Sequence, residues 1–564
     1  MHAVQGLGVA IPVAPSLRPP YVVLLIAASA LLLGIFAARG WHTACAKSLT
    51  ADEPHYIGTG LYLWETGDYH YASSLKFHPP LAYHLASVPL LSVDLDNASL
   101  EKGLYRQIRE KDPQRAETVR IRSRLAFVAL ACWGGILLLA WATEAAGPVA
   151  GLIALALYTL SPTILANAPL AHSDITVTVF YLKTLYMYWR WQRRPTRGRL
   201  ILCGLSLGLA LTSKLSALLL LPILGILFLT SEHSPVMRRA DVETRSEAIR
   251  DRLAALIRQL PRAATLLTAC TFTAIGVLWL VYGGSLAVVE GAYGPMEGVR
   301  LPGYLHSFFV DADLNARGRL LFFLGEHSKS GWWYFFPAMY LLKTPFPTLL
   351  LLGLALLFGG PLEREVRRVL VVAISFYLFI ASFVLQVPLG FRYVLPLVPL
   401  VHLLIATRIA GSDRNWLRPV AAVGLVALAW VGARAHPHYL SFFNPILGGS
   451  QGAYRYIAES NIDWGQDLGT LARYLDQRGN PPMKLAYFGP EPPERYGIEY
   501  ERLVGCQQTD GLIAISVTVA QRLWNPANPW RRLPEGCYDW LLKREPVAQP
   551  GYSILVYEVE NTEN

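Results

Sequence analysis

Residues 20–38 read PYVVLLIAASALLLGIFAA, a run without a single charged side chain. Roughly 20 helical residues cross about 30 Å of hydrocarbon, so this stretch is long enough to span a bilayer. Comparable runs recur near 123–142, 148–166, 174–191, 199–213, 214–231, 263–283, 345–360, 368–387, 393–410 and 418–434. With 53% hydrophobic and only 16% charged residues over 564 positions, the chain is too apolar for a soluble protein of that length. The expected fold class is an all-α polytopic membrane protein of about eleven transmembrane helices. A cleaved signal peptide is the alternative for the first run, which the small residues of AARGWHTACA would suit; its flank is nearly uncharged.

Lys and Arg gather on the cytoplasmic side of short loops. Here they concentrate in RWQRRPTRGR (190–199), in the segment 232–262, in EREVRR (363–368) and in TRIAGSDRNWLR (407–418). Placing these inside sends 41–122, 284–344 and 435–564 outside. The expected organisation is a membrane module over 1–434 with external loops 41–122 and 284–344, followed by an external C-terminal domain over 435–564. The net charge of +10 then reads as inner-face arginine meeting membrane lipids, and nucleic acid is not expected as a partner.

The external stretches carry the chemistry. LTADEPHYIGTGLYLWETGDY (49–69) sets Asp52 and Glu53 side by side next to the bilayer, and KFHPPLAYHL (76–85) fixes His78 before a proline pair that starts a helix. The aromatic and apolar spacing of 56–69 and the basic-apolar alternation of LYRQIREKDPQRAETVRIRSRL (104–125) predict helices lying at the interface. ILANAPLAHSDITVTVF (164–180) puts His172 and Asp174 at a span end, where a charge near hydrocarbon is a functional candidate. Lys214 and Arg392 fall on outer turns of the same side. Snorkelling explains either cation singly, but not why both share a face with the carboxylates.

GWWYFFPAMYLLKTPFP (331–347) adds Lys343, and GEHSKSGWWYFF (325–336) adds His327 and Lys329; a solvated loop and an interfacial aromatic belt are the plain readings of this stretch. Cys132, Cys203 and Cys270 fall in apolar runs and read as packing residues, whereas Cys506 and Cys537 lie where a disulfide is open to them. The tail predicts mixed elements: strands in MKLAYFGP (483–490), GLIAISVTVA (511–520) and YSILVYEVE (552–560), a helix in DLGTLARYLDQRG (467–479). Acidic SNIDWGQDL (460–468) reads as an acceptor contact or, more plainly, a helix cap by Asn461 or Asp463.

Taken in order, ADEPHYIGTG, FHPPLAYHL, the Asp174 turn, GLALTSKLSALLLLP, GWWYFFPAMYLLKTPFP, GFRYVLPLVP and the HPHYLSFFNPILGG to SNIDWGQDLGTL tail resemble the membrane-embedded C-type glycosyltransferases of the protein O-mannosyltransferase and aminoarabinose transferase superfamily. The likeness implies an integral glycosyltransferase of the inner (plasma) membrane. It would move a hexosyl or pentosyl group from a polyprenyl monophosphate carrier to a protein, lipid or glycan acceptor on the outer face. It further implies Asp52 as catalytic base, with Glu53, His78, Asp174, Lys214, His327, Lys343 and Arg392 around the substrates, and no cofactor or metal. The aminoarabinose transferases carry a Glu-Lys pair where Phe77 and His78 stand, a departure that argues against a lipid A acceptor. A transporter or glycan-export component is the alternative function; it would place charges at mid-membrane on broken helices with an internal repeat.

Overall fold

A computed structural model describes residues 19–70, 78–92, 113–230, 245–284, 288–290, 298–528 and 531–560. It is mostly helical: α1 (Pro19–Ala46), α2 (Glu53–Thr66), α3 (Leu81–Ser87), α4 (Pro113–Ala146), α5 (Pro148–Leu160), α6 (Pro162–Asn167), α7 (Ser173–Arg193), α8 (Arg197–Leu211), α9 (Leu220–Leu229) and α10 (Arg245–Val281). After a short β1 (Val288–Glu290) and β2 (Arg300–Pro302) follow α11 (Gly303–Arg317), the hairpin β3 (Leu321–Phe323) and β4 (Glu326–Ser328), α12 (Phe335–Lys343), α13 (Phe346–Phe358), α14 (Arg364–Phe383), α15 (Leu397–Ala410) and α16 (Leu417–Ala435).

Every apolar run meets a helix. Among the described residues five helices are long and apolar enough to cross a membrane, or six when α12 and α13, bent by 111°, count as one broken span. The others are shorter or are interrupted, as at Ser161–Pro162, where the Ser161 hydroxyl accepts the Ile164 N–H and proline restarts the helix. The protein is a multi-helix membrane protein.

Outside the spans the local chemistry sets the shapes. Pro54 and the acidic Glu53 open α2, and Gly67, at φ +63°, closes it in the left-handed conformation that glycine adopts freely. This helix does not merely lie at an interface: Tyr56, Ile57, Leu61 and Leu63 are buried, and it packs on α3. The basic-apolar run before the second span also differs from the expected separate helix. From Pro113 onward it is the first turns of α4 itself, and 104–112 lie outside the described residues. Two of its arginines turn inward: Arg120 and Arg124 satisfy the carbonyls of Ala44 and Lys47 at the end of α1.

The C-terminal part builds α17 (Leu468–Asp476) and a four-stranded sheet of β5 (Met483–Ala486), β6 (Glu501–Arg502), β7 (Gly511–Ser516) and β8 (Ile554–Val559). Its order is β6-β5-β7-β8, with β5 parallel to β6 and β7, and β8 antiparallel to β7 in the register Ala514 to Val556. Leu468, Leu471 and Leu475 of α17 pack with Met483, Leu485, Ala514 and Val556 as a small core of their own. A disulfide joins Cys506 and Cys537.

Candidate active site

Asp52 stands at the N-cap of α2 but its carboxylate makes no capping bond. It reaches instead to Arg392, whose Nη1 donates to Asp52 Oδ2 at 3.2 Å and to Asp174 Oδ2 at 3.4 Å. Asp174 sits in the first turn of α7, where helix polarity favours an anion, and its other oxygen accepts from the Lys214 ammonium. Lys214 is delivered by the break between α8 and the turn Leu215–Leu219, and Arg392 by the turn Phe391–Val394 before α15. Four residues from four separate segments thus form one chain of opposite charges.

The two acids differ in a way that matters for chemistry. The Asp174 side chain is 1% exposed and held by both cations, whereas that of Asp52 is 42% exposed and shares only the guanidinium. A buried carboxylate saturated with cationic donors organises charge; an accessible one with a single partner can take up a proton. The cations are backed by aromatic faces: Arg392 lies 4.1 Å over Trp464 and Lys214 lies 4.7 Å over Tyr393.

Glu53 is not among these groups. Although adjacent in sequence, it is wholly buried on the other side of the helix start, where Arg124 engages both oxygens at 2.8 and 2.6 Å. The Thr50 and Ala171 N–H groups complete its shell at 2.8 and 3.0 Å. That saturation ties α2, α4 and the α6–α7 turn together and leaves the Glu53 side chain no solvent-exposed surface.

His78 packs flat on Tyr56 at 6.0 Å, and its Nδ1 is buried without a hydrogen bond. Burial and the nearby Lys214 charge push its ring down to about 4, so it is a neutral imidazole at the edge of the cluster. Phe77 lies outside the described residues. Tyr56 donates to Ser173 Oγ at 2.9 Å and so locks α2 to the start of α7.

Lys343, at the end of α12, donates to the Leu440 carbonyl at 2.6 Å and to that of Asn461, and lies 4.0 Å over Phe443. It meets no carboxylate there but shares with Arg392 a small cavity lined also by Thr163, Asn167, Tyr439 and Ser460. His327 is turned away: its ring bonds the Gln521 carbonyl at 3.0 Å and Arg522 at 3.2 Å. Among the described residues no three His, Cys, Asp or Glu side chains group as a metal site.

Residues that sequence reasoning took for a helix cap belong here too. Asn461 does not cap; its Oδ1 accepts the Phe391 N–H at 2.9 Å and its Nδ2 donates to Leu389. Trp464 forms the floor beneath Arg392 and touches His172 at 5.1 Å. The signal was present in the acidic-aromatic run, but its partner lies about 70 positions upstream.

Residues 29–239 match the family model described as dolichyl-phosphate-mannose-protein mannosyltransferase. The match covers less than half of the chain, so it is a likeness to that family over the first part of the sequence. Asp52, Asp174 and Lys214 all fall within the matched segment. Among solved structures, ArnT from Cupriavidus metallidurans bound to undecaprenyl phosphate is similar at 15% identity and TM-score 0.45, covering 82% of this chain and 73% of that one. The protein O-mannosyltransferase Pmt1-Pmt2 complex of S. cerevisiae, bound to its sugar donor, is similar at 14% identity and TM-score 0.31 over 54% of this chain and 39% of that one. An oligosaccharyltransferase of Archaeoglobus fulgidus is similar at 14% identity and TM-score 0.39 over 74% and 55%. No curated protein matches the chain at a significant level.

Proposed function

We propose that this protein transfers a sugar from a polyprenyl monophosphate carrier to a hydroxyl acceptor on the outer face of the inner (plasma) membrane. The proposed topology is eleven spans with the N-terminus inside, a membrane module over 1–434 and an external C-terminal domain over 435–564. The observation that carries the reading is the Asp52–Arg392–Asp174–Lys214 chain, in which one carboxylate is accessible and the other is locked between cations. The family's description by a dolichyl-phosphate donor supports a lipid phosphate as the leaving group.

In the proposed reaction Asp52 removes the proton of the acceptor hydroxyl as its oxygen attacks the anomeric carbon. The bond from that carbon to the phosphate oxygen breaks, and the carrier leaves as a phosphate monoester with one more negative charge. Arg392, bidentate by nature, receives that charge as it develops; turning toward the phosphate also loosens its hold on Asp52, raising the basicity of the carboxylate when it is needed. Lys214 stays neutralised by Asp174 and keeps the acid from competing with the phosphate. Membrane lipids, a lipid-linked donor and a protein, lipid or glycan acceptor are the proposed partners.

Incubating the purified protein with radiolabelled polyprenyl-phosphate sugars and cell-envelope fractions tests the proposal. Label should move to an envelope component with wild-type protein and stay on the carrier with Asp52→Asn. Retention of all label on the carrier across mannosyl, glucosyl and aminopentosyl donors would overturn it.

A further inference from the structure

The segment Ser460–Gln466 touches both ends of the Asp52–Arg392 pair. Upstream of Asp52, Ala51 N–H donates to the Trp464 carbonyl at 2.9 Å and Ser48 N–H to that of Gln466 at 3.1 Å, while Ser48 Oγ donates to Gly465 at 2.9 Å. On the other side Asn461 binds both Phe391 N–H and the Leu389 carbonyl, flanking Arg392 by one residue on one side. Between these two attachments the Trp464 ring lies against the guanidinium. We propose that this segment is the positioning element of the site: Asn461 and Trp464 set the separation of the Asp52 carboxylate and the Arg392 guanidinium. The inference rests on the reading of that pair as base and phosphate cation.

The segment is itself rigidly held by the C-terminal sheet, as a spacer must be. Asp463 accepts the Thr518 N–H beyond β7 at 2.8 Å and the Gly465 N–H at 3.2 Å. Gly465 has φ +86°, and a Cβ there would stand 2.7 Å from the Gly489 Cα, so the chain passes where only glycine fits. Gln466 accepts the Trp464 N–H at 2.7 Å and donates to Ile462 at 3.0 Å, closing the turn on itself. Asn461 spends every side-chain group it has on backbone, and Trp464 offers a face without ionisable chemistry. Neither is equipped to react, and both are equipped to hold.

Two measurements on full-length protein in detergent decide the matter. The first is amide hydrogen exchange, read at 46–53 and 387–395, which needs no substrate. Asn461→Ala should raise exchange at 387–395 and Trp464→Leu at both stretches, with Trp464→Phe close to wild type. The second is affinity for undecaprenyl phosphate together with turnover. Asn461→Ala and Trp464→Leu should each weaken binding about tenfold, as loss of a buried contact does. In an Arg392→Lys background the same changes should add less than about twofold, because they act through Arg392. Asn461→Asp keeps the acceptor for Phe391 and serves if the alanine variant melts early. Unchanged exchange at both stretches, or full additivity with Arg392→Lys, overturns the inference. If wild-type protein binds no undecaprenyl phosphate the reading of the site falls, and altered exchange would then leave the spacer standing for a different ligand.

Discussion

Asp52 and Arg392, 340 positions apart, meet at 3.2 Å, and the carboxylate keeps 42% of its side-chain surface open to solvent. A chain brings residues so distant together against considerable conformational entropy, which the packing of α2 and the α14–α15 turn must offset. What results is an acid at the solvent boundary whose one charged partner is shared with a second carboxylate, that of Asp174.

Asp52→Asn keeps the shape and the hydrogen bond from Arg392 but cannot take a proton. Transfer should fall by about two to four orders of magnitude while affinity for the lipid carrier stays within about threefold. Rates within about threefold of wild type would remove Asp52 as the base.

Glu53→Gln should behave differently despite its neighbouring position. The change leaves Arg124 buried beside a neutral amide, and breaking a buried pair from one side costs about 3 kcal/mol or more. The expected outcome is a large fall in the melting temperature of the detergent-solubilised protein, with the fraction that remains folded still active. A variant that melts normally but is inactive would return Glu53 to the chemistry.

The contrast between these neighbours marks where the sequence was legible. The apolar runs were readable because the bilayer imposes length and hydrophobicity on each one separately, and all of them are helical. The expectation that Asp52, Asp174, Lys214 and Arg392 share one side followed from alternation, and the structure brings these four into contact. Which side chain meets which was not readable. Arg124 hides in a basic run that looks interfacial, and Asn461 in an acidic run that looks like a cap, because both roles are fixed by contacts about 70 residues away. Helix breaks inside spans were likewise only partly announced, as the 111° bend between α12 and α13 at Thr344–Pro345 shows.

A second ion pair joins the C-terminal part to the end of α1, where Lys47 donates to Asp467, with Ser553 Oγ and Gln466 at 2.7 and 2.8 Å. Burial alone would raise Asp467, but the Lys47 charge and the His438 ring hold it down to about 2, below its ordinary 3.8. A depressed carboxylate contributes stability above its unfolded value and loses it as pH falls through the folded one. The contribution should be present at neutral pH and fade between about pH 4 and pH 2. Melting curves of wild type and Asp467→Asn should therefore differ at pH 7 and converge toward pH 2. A constant difference across that range would show that the pair is not ionised in the folded protein.

Sidedness governs every role assigned above. Alternation of spans with basic inner loops puts α17 outside and the loop between α7 and α8 inside. In a background with the partly exposed free cysteines Cys45 and Cys132 replaced, exposed positions on each side can be tagged singly. Gln477→Cys, just past α17, should react with a membrane-impermeant maleimide on intact spheroplasts, and Arg194→Cys only after lysis. Both residues lie in exposed turns, so failure to react reports the membrane and not burial. The reverse pattern would carry Asp52, Asp174, Lys214 and Arg392 together into the cytoplasm. There nucleotide sugars are the abundant donors, their diphosphate leaving groups carry more charge than the shared Arg392 guanidinium would balance, and a lipid monophosphate donor would have no reason to be preferred.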